Sequence, residues 1–393
     1  MKSELARDAL RTRWIIRFSL ITTPLTAAFG ILSGVALRTE TALMVLVLHV
    51  VGGLAITTGY HRLWAHRSYR ASPLLGYALA LLGTGQGQLS IRWWVKHHRA
   101  HHRYVDTDRD PYDARRGFYH THIGWLLSYD PSSWGRVDVS DLDSDPIVLW
   151  QERYFWYITA CMMVVFPTAV AHFGWNDFKG GFVYGAGARL WISFNSTWFV
   201  NSIAHASWAG SQPYSSHTSA RNVPLLALFT GGESNHNFHH TFPMDYRNGL
   251  YWYESDISRY LIELWSIFGL ASNLKAVSPT EIERARRGQK QKQQQQQPDT
   301  LEESDFSDLP SMSWAEFVLQ TNSGYCLVCI RGVVYDLADF ISDHPGGPAL
   351  IQDFIGKDAT EAFFTDNAHS AYASSLLKAR RTALVTPSEN SGR

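Results

Sequence analysis

Four long apolar stretches constrain the fold of this chain more than any other feature. They cover residues 14–37, 41–60, 154–175 and 181–203, and short polar segments join the first to the second and the third to the fourth. Each stretch is about long enough to cross a lipid bilayer as a helix. Since a bilayer core admits helices but not lipid-exposed loops, the sequence predicts an α-helical membrane protein with four transmembrane helices in two hairpins.

Basic residues around the first stretch predict its orientation. Arg7, Arg11, Arg13 and Arg17 surround its leading end, whereas its far side offers little beyond Arg38. Because cytoplasmic flanks carry an excess of Lys and Arg, we expect the N-terminus to stay in the cytosol and both hairpins to return there. A cleaved signal peptide is disfavoured, since the apolar run is too long and contains Arg17.

Histidine is the unusual residue of the composition, and most of the 17 histidines fall into short clusters. Nine histidines and one asparagine form four clusters: His61 and His66; His98, His101 and His102; Asn201 and His205; His236, His239 and His240. Positions three and four apart share one helical face, so each triplet can point several imidazoles into one space. We expect all four clusters to meet on the cytosolic side. This ligand count predicts two metal ions in a cytosolic helical cap, and imidazole alone leaves iron, zinc, copper and nickel open.

Other candidate ligands are interpreted as structural. Glu233 and His236 match the ExxH motif of carboxylate di-iron bundles, but that motif is needed twice with further glutamates, so the match is taken as incidental. Cys326 and Cys329 lie in an apolar, strand-like run and are interpreted as buried strand residues rather than a zinc or redox pair. Six further histidines are interpreted as surface or hydrogen-bonded residues: His49, His97, His120, His122, His172 and His217.

The composition divides the chain into three parts. We assign residues 1–280 to the membrane domain, 281–310 to a polar, glutamine-rich linker and 311–393 to a small α+β domain. In the last part, His344 lies in an Asp-His-Pro-Gly-Gly run, and His369 follows Asn367 and Ala368 about 25 residues later. Two such histidines can bind a haem iron from opposite faces, which leaves no open position and favours electron transfer over oxygen activation.

The net charge is zero, from 35 basic and 35 acidic residues. No global field therefore draws this chain to nucleic acid, and nucleic acid is not an expected partner.

The histidine motifs HRLWAH, HRAHH, NSIAH and HNFHH, in this order, resemble those of the membrane stearoyl-CoA (acyl-CoA delta-9) desaturases, especially the fungal form. The resemblance covers residues 15–275 and includes the segments 58–64, 110–117 and 242–248. It implies that the nine clustered histidines bind two non-haem irons, with Asn201 contacting one iron through water. It also implies a kinked tunnel for a saturated acyl chain, in which Gln88, Trp94 and Thr197 lie at the bend near the metals.

Residues 310–388 resemble cytochrome b5, and a C-terminal domain of this kind is the fungal desaturase arrangement. The resemblance implies haem b on His344 and His369, electrons from an NADH-cytochrome b5 reductase, and a multi-pass position in the endoplasmic reticulum membrane with both termini and the active site in the cytosol. The implied substrates are O2 and stearoyl- or palmitoyl-CoA, which receives a cis double bond. Removing two hydrogens from unactivated methylenes is beyond any side chain, so the chemistry needs an oxygen-activating metal.

Some positions depart from the family pattern and leave alternatives open. Lys96 and His97 stand where animal relatives have Arg-Asp, and Ser128 and Tyr129 stand where they have Arg-Lys; those basic residues help to bind coenzyme A in the family. A desaturase acting on lipid-bound acyl chains therefore stays open. Two further hypotheses are a histidine-rich di-iron hydroxylase and a membrane-tethered electron carrier with an inactive oxidase half.

Overall fold

A computed structural model describes residues 2–295, 309–344, 346–364, 369 and 371–386. Pro345, Asn367 and Ala368 of the two predicted haem motifs lie outside the described residues, as does the segment 296–308 of the predicted linker. The described chain has a helical part up to residue 295 and a smaller part that contains a four-stranded sheet. The predicted fold class, apolar helices together with a small α+β part that contains strands, agrees with these elements.

Three described helices are long and apolar enough to cross a membrane: Leu10–Leu32, which belongs to the longer helix Lys2–Leu32, Thr39–Ala65 and Pro146–Trp175. They coincide with the first three predicted spans. The fourth predicted span is also helical, as Gly181–Ala188 and Arg189–Ser202, but polar residues such as Arg189 and Asn195 make it less apolar than the other three. The helical membrane fold is therefore supported, and the count of four spans stays a prediction.

The other helices of this part are shorter and connect or flank the predicted spans. They are Pro73–Thr84, Ile91–Tyr104, His236–Thr241, Ile257–Ile267 and Pro279–Gln295, with shorter helical turns at Ala114–Arg116, His120–Gly124, Trp125–Leu127, Ser140–Asp143, Phe178–Gly180, Ile203–His205, Pro224–Leu226 and Ala227–Thr230. Side-chain caps fix several starts, since Ser72, Ser90 and Asp145 each accept a hydrogen bond from a backbone N–H of the first turn. The short strands Arg70–Ala71 and Ala271–Ser272 pair antiparallel.

The helix Pro279–Gln295 differs from the solvated linker predicted from residue 281. Ile282 is fully buried among Tyr214, Phe238 and Phe242, and Gln289 is buried further along the same helix. Lys, Arg and Gln are good helix formers, so one anchored apolar position is enough to hold a polar sequence in a helix against a neighbouring surface. Composition alone could not show this anchor.

The C-terminal part has a mixed sheet in the strand order Ser311–Ser313, Arg381–Thr386, Val333–Asp336, Leu327–Ile330. The first pair is parallel and the other two are antiparallel. Its helices are Trp314–Asn322, Ile341–Asp343, Pro348–Gln352, Thr360–Phe364 and Ala371–Lys378. Cys329 is buried in a strand and Cys326 precedes that strand, and both thiols are free.

Candidate metal centre and haem crevice

The nine clustered histidines come together in two groups. The first group contains His61, His66, His98, His102 and His239, and the second contains His101, His205, His236 and His240. Within each group the potential ligand atoms all lie within 4.8 Å of one another. The structure thus places histidines from four distant sequence segments around two adjacent points.

Two helices divide their histidines between the groups by helical geometry. On Ile91–Tyr104, His98 and His102 are four residues apart and face the first group, while His101 faces the second. On His236–Thr241 the arrangement is reversed, since His236 and His240 face the second group and His239 the first. Each triplet therefore links the two groups, and this division was not visible in the sequence.

His61 and His66 are five residues apart, a spacing that separates two side chains on an ordinary α-helix. The segment Ile56–Ala65 is instead a π-helix, and the N–H of His66 donates to the carbonyl of His61 over 3.0 Å. The wider π-helical turn brings positions i and i+5 to the same face, and such turns occur often at functional sites. Both imidazoles consequently reach the first group.

Distances between the imidazoles fit the residues of a metal centre. The Nε2–Nε2 separations are 2.7 Å for His66 and His98, 2.8 Å for His102 and His239, and 2.9 Å for His61 and His239. In the second group they are 3.0 Å for His205 and His236, and for His236 and His240, and 3.2 Å for His101 and His240. Ligands about 2.1 Å from one metal ion and at right angles to each other stand about 3 Å apart.

Acceptors behind three of the imidazoles direct their Nε2 lone pairs towards these points. His61 Nδ1 lies 3.1 Å from Glu233 Oε2, and His101 Nδ1 lies 3.0 Å from Asp110 Oδ1. A carboxylate that receives the Nδ1–H leaves the lone pair on Nε2. Lone pairs directed towards one point from several imidazoles are the arrangement that a metal ion satisfies, so these residues fit metal ions.

His205 is oriented by a serine rather than directly by a carboxylate. Ser219 Oγ lies 2.7 Å from His205 Nδ1 and donates its own proton to Asp106 Oδ1 at 2.6 Å. The backbone N–H of Ser219 donates to the other oxygen of Asp106. The sequence does not predict that Glu233, Asp110, Asp106 and Ser219 support the histidines, because they lie far from those histidines in the chain or in ordinary turns.

Burial lowers the pKa of seven of the clustered imidazoles and so favours the neutral form, which is the form that binds a metal. Desolvation first, and the neighbouring histidines second, hold the pKa of six of them well below the usual value of 6.5: His66, His98, His102, His205, His239 and His240. Burial also lowers the pKa of His236 to about 3. Burial opposes the charged form of Glu233, but His61 and Arg62 outweigh it and hold the pKa of this carboxyl at about 2.

Two buried arginines fix the elements that carry the histidines. Arg62 binds both oxygens of Asp256, at 2.7 and 3.1 Å, and also reaches Glu233 at 3.3 Å. Arg99 pairs with both oxygens of Asp141 at 2.7 Å and donates to the carbonyls of Trp64 and Ala65. Each guanidinium therefore ties one histidine segment to a distant part of the chain, as bidentate arginine pairs do elsewhere.

The three predicted substrate residues form one hydrogen-bonded chain. Trp94 Nε1 donates to Gln88 Oε1 at 3.0 Å, and Gln88 Nε2 donates to Thr197 Oγ1 at 2.6 Å. They line a cavity that extends from His49 and Gly53 to His61, His98, His101 and His236. Asn201 lines the same cavity. The Trp94 ring stacks on His98 with centroids 4.8 Å apart, so the chain lies directly against the first histidine group.

A second cavity is lined by the two predicted haem ligands. The imidazole centroids of His344 and His369 are 6.3 Å apart. Two imidazoles that bind one metal ion from opposite sides have nitrogens about 4 Å apart and centroids about 6 Å apart, because each bond is about 2 Å long. Nδ1 of His344 lies 3.1 Å from the Gly347 carbonyl and Nδ1 of His369 lies 3.0 Å from the Phe363 carbonyl, which directs both Nε2 lone pairs into the cavity. The residues fit a haem.

The positions that depart from the coenzyme A pattern include two buried side chains. His97 packs on Trp93 with centroids 4.0 Å apart, and Tyr129 accepts a hydrogen bond from Trp93 Nε1 at 2.9 Å. Both are under 5% exposed, so they serve packing rather than a contact with a polar headgroup. Lys96 and Ser128 are exposed.

Membrane-type helices, two histidine groups with metal-binding spacing and a bis-histidine crevice define a histidine-rich membrane metalloprotein with its own haem domain. The fatty acid desaturase family matches residues 39–297, and the cytochrome b5-like haem/steroid binding domain matches residues 313–383. The chain belongs to the fatty acid desaturase family.

Several named relatives are similar over most of their length. The probable acyl-CoA desaturase of Schizosaccharomyces pombe is 42% identical over 380 residues, which is 95% of this chain and 77% of the relative. Acyl-CoA desaturase 1 of Saccharomyces cerevisiae is 38% identical over 382 residues, covering 96% and 74%. Human stearoyl-CoA desaturase 5 is 40% identical over 246 residues, covering 61% and 74%. The family predicted from the histidine motifs and the fused cytochrome b5-like domain is confirmed.

Proposed function

We propose that this protein is an acyl-CoA delta-9 desaturase that uses O2 and electrons from its own haem domain to place a cis double bond in stearoyl or palmitoyl chains. One observation carries the proposal: nine imidazoles converge in two groups at the end of a cavity lined by Gln88, Trp94 and Thr197. The names of the relatives, which include acyl-CoA, stearoyl-CoA and delta-9 desaturases, supply the substrate and the position of the double bond.

Each histidine group holds one iron in this proposal. The first group provides five imidazoles and the second provides four. Asn201 lines the cavity that both groups share and is the residue that contacts one of the irons through water. When bound, the two irons supply the oxygen activation that breaking unactivated C–H bonds requires. Glu233, Asp110 and Ser219 hold the Nδ1 protons of their histidines and so keep the imidazoles in the ligating tautomer.

The cavity determines which methylene lies next to the metals. The hydrogen-bonded chain from Trp94 through Gln88 to Thr197 forms a rigid wall, because each side chain is held by the next one. An acyl chain that follows this wall is excluded from bulk water and presents a fixed segment to the histidine groups. Regioselectivity then follows from the position of the wall rather than from recognition of the methylene itself.

The finer membrane arrangement is part of the proposal. We assign the fourth span to residues 181–202, because its one charged side chain, Arg189, is 2% exposed and donates to the carbonyls of Gly85 and Gly185 inside the bundle. Charged residues in membrane helices face the protein interior in this way. Arg13 and Arg17 donate to carbonyls of Tyr129 and Leu127 near the histidine helices, which supports a cytosolic N-terminus and cap.

The proposed location is the endoplasmic reticulum membrane, with an NADH-cytochrome b5 reductase as electron source. Residues 1–280 are the desaturase domain, and 311–393 the haem domain; the helix Pro279–Gln295 extends the first domain into the segment assigned to the linker.

A yeast strain that requires unsaturated fatty acids tests the proposal. The chain should restore growth, and gas chromatography of its lipids should show oleate and palmitoleate. Hydroxystearate without oleate would favour the hydroxylase, and oleate formed on phospholipid before any acyl-CoA product would favour a lipid-bound substrate. Haem without non-haem iron in the purified protein would favour the electron carrier.

A further inference from the structure

The haem crevice opens onto the histidine centre rather than onto solvent alone. Its cavity is lined on one side by the haem domain, including His344 and His369, and on the other by residues of the desaturase domain. The desaturase side includes His102 of the first histidine group and His240 of the second. A haem held by His344 and His369 thus shares one cavity with a residue from each metal group.

Three polar contacts at and beside His344 join the two domains. Arg67 Nη2 donates to the carbonyl of His344 at 2.8 Å, and Lys275 Nζ lies 2.6 Å from Asp343 Oδ1. Asp138 Oδ2 accepts from the N–H of Ala349 at 3.3 Å. All three contacts lie within the segment 343–349 of the haem domain, which contains the predicted haem ligand itself.

The desaturase residues of these contacts are anchored to the histidine segments. Arg67 directly follows His66 in the chain, and the Asp138 carbonyl accepts from the buried guanidinium of Arg99 at 2.8 Å. Lys275 is held by backbone hydrogen bonds to Ser68 and Tyr246. These residues therefore fix the position of the haem domain relative to the segments that carry the histidines, and not relative to a loose surface loop.

Gly347 shows how closely the haem domain approaches the desaturase domain. Its φ is +97°, and a Cβ at this position would lie 2.5 Å from Asp138 Cβ and 2.8 Å from Asp138 Oδ2. Any side chain here would meet Asp138 and would also strain the backbone, because L-residues rarely adopt this conformation. Gly347 of the haem motif therefore also allows the haem domain to approach Asp138 closely.

We propose that Arg67, Asp138 and Lys275 form a docking surface that seats the chain's own haem domain with its crevice over His102 and His240, and that electrons pass from haem to the metal centre in this docked form. This inference rests on the proposed function. Each transfer oxidises one ferrous haem to ferric and reduces one non-haem ferric ion to ferrous, and an NADH-dependent flavin reductase restores the ferrous haem. Two transfers serve each double bond.

Few and partly exposed contacts are sufficient for a tethered domain. The side chains of Lys275 and Asp343 are 22% and 42% exposed, and a pair of this kind contributes little to the binding of separate proteins. A covalent linker, however, gives the two domains an effective concentration on the order of millimolar, at which weak contacts populate a docked state. Weak docking also lets the haem domain leave the surface to meet its reductase.

Stopped-flow spectroscopy of the full-length holoenzyme tests the docking surface. Ferrous haem is prepared with NADH and reductase, mixed with stearoyl-CoA and O2, and its reoxidation is followed at the haem absorbance. We expect Lys275→Glu, which faces Asp343, to slow reoxidation about tenfold at low salt, because an attraction becomes a repulsion. The double variant Lys275→Glu with Asp343→Lys restores the pair and should recover most of the rate. Lys179→Glu, an equal charge change on an exposed residue in the turn between the third and fourth predicted spans, should react like the unmodified protein.

Two further readouts separate this inference from the proposed function. Reduction of the haem by NADH and reductase should be no slower in Lys275→Glu, because the haem domain meets its reductase in the undocked form. Single-turnover desaturation after full reduction with dithionite should be unchanged, because it does not need docking. Equal reoxidation rates for Lys275→Glu and the unmodified protein, or no recovery in the double variant, would overturn the docking surface. Absence of oleate from the dithionite-reduced unmodified protein would instead overturn the proposed function.

Discussion

Replacing Glu233 by glutamine removes one charge from the support of the first histidine group while keeping the size of the side chain. Glu233 contacts His61 Nδ1 at 3.1 Å, Arg62 Nη2 at 3.3 Å and Asn248 Nδ2 at 2.7 Å, and it is 6% exposed. The carboxylate accepts from all three, whereas the amide of the variant side chain has one accepting oxygen and would turn an NH2 group towards at least one donor. His61 is then held less firmly in the orientation that directs its Nε2 lone pair into the first histidine group.

The substitution is expected to change both the affinity for iron and the stability of the fold. Removing a hydrogen-bonded partner of a metal-binding histidine lowers metal affinity about 10- to 100-fold. Breaking a buried ion pair costs about 3–5 kcal/mol when one charge is left without a partner. Arg62 keeps both contacts to Asp256 in the variant, so its charge stays paired. We therefore expect the free energy of unfolding to fall by only about 1–3 kcal/mol. The folded variant should therefore persist with weakened iron binding.

The effect on iron should be independent of pH in the neutral range. The pKa of Glu233 is about 2 in the folded protein against an ordinary 4.5, so the stability from its ionised form is complete above about 4.5 and is lost only as the pH falls towards 2. The deficit of the variant should be the same at about pH 6 and about pH 8, where the group is ionised in both states.

Iron retention measures this prediction. The purified proteins are dialysed against graded chelator, and iron per haem is determined by mass spectrometry. Glu233→Gln should lose one of its two irons at a chelator concentration about 10- to 100-fold below that needed for the unmodified protein. Glu281→Gln, an exposed glutamate bonded only to Ser278 among the described contacts, is the matched control. Equal retention of both irons in Glu233→Gln would refute the role assigned to this carboxylate.

Three further substitutions test other parts of the site. Ser219→Ala leaves the buried Nδ1–H of His205 without its acceptor, so we expect about 10- to 100-fold weaker binding of one iron in the second group, measured as above, with Thr218→Ala as the control. His344→Ala should abolish the haem absorbance and NADH-driven desaturation but leave two non-haem irons, and loss of those irons as well would contradict separate sites. Gln88→Leu breaks the chain from Trp94 to Thr197; mass spectrometry of the products should show mixed double-bond positions at lower total yield, and unchanged regioselectivity would show that this wall does not position the acyl chain.

The parts of the fold that depend on local sequence could be predicted, and the parts that depend on distant contacts could not. Apolar length alone located the three helices that qualify as spans. The gathering of the nine histidines followed from helical spacing and topology. Their division into five and four did not, because it requires the π-helical turn that brings His61 and His66 to one face.

Long-range partners explain the remaining differences. Glu233 is 172 residues from His61 in the chain, and no local pattern connects them, so its ExxH spacing suggested only a bundle motif that this fold does not use. Asp106 and Asp110 likewise resemble ordinary turn residues after the second cluster. Only the structure shows that Asp106 contacts Ser219 and that Asp110 contacts His101. The helix Pro279–Gln295 was missed because a single buried residue, Ile282, anchors a sequence that is otherwise typical of a solvated segment.

The contacts between the two domains were also beyond sequence reasoning. Gly347 is part of a haem-binding motif and gave no indication of Asp138, which lies more than two hundred residues earlier in the chain. The same holds for Lys275 and Asp343, which are 68 residues apart.

Product analysis with purified protein tests the central claim most directly. The holoenzyme with two irons and one haem is supplied with labelled stearoyl-CoA, O2, NADH and reductase, and the released fatty acids are identified by gas chromatography and mass spectrometry. We predict oleate with its cis double bond at carbon 9. Hydroxystearate as the sole product, or unreacted stearate from fully metallated protein, would contradict the assignment of this chain as an acyl-CoA delta-9 desaturase.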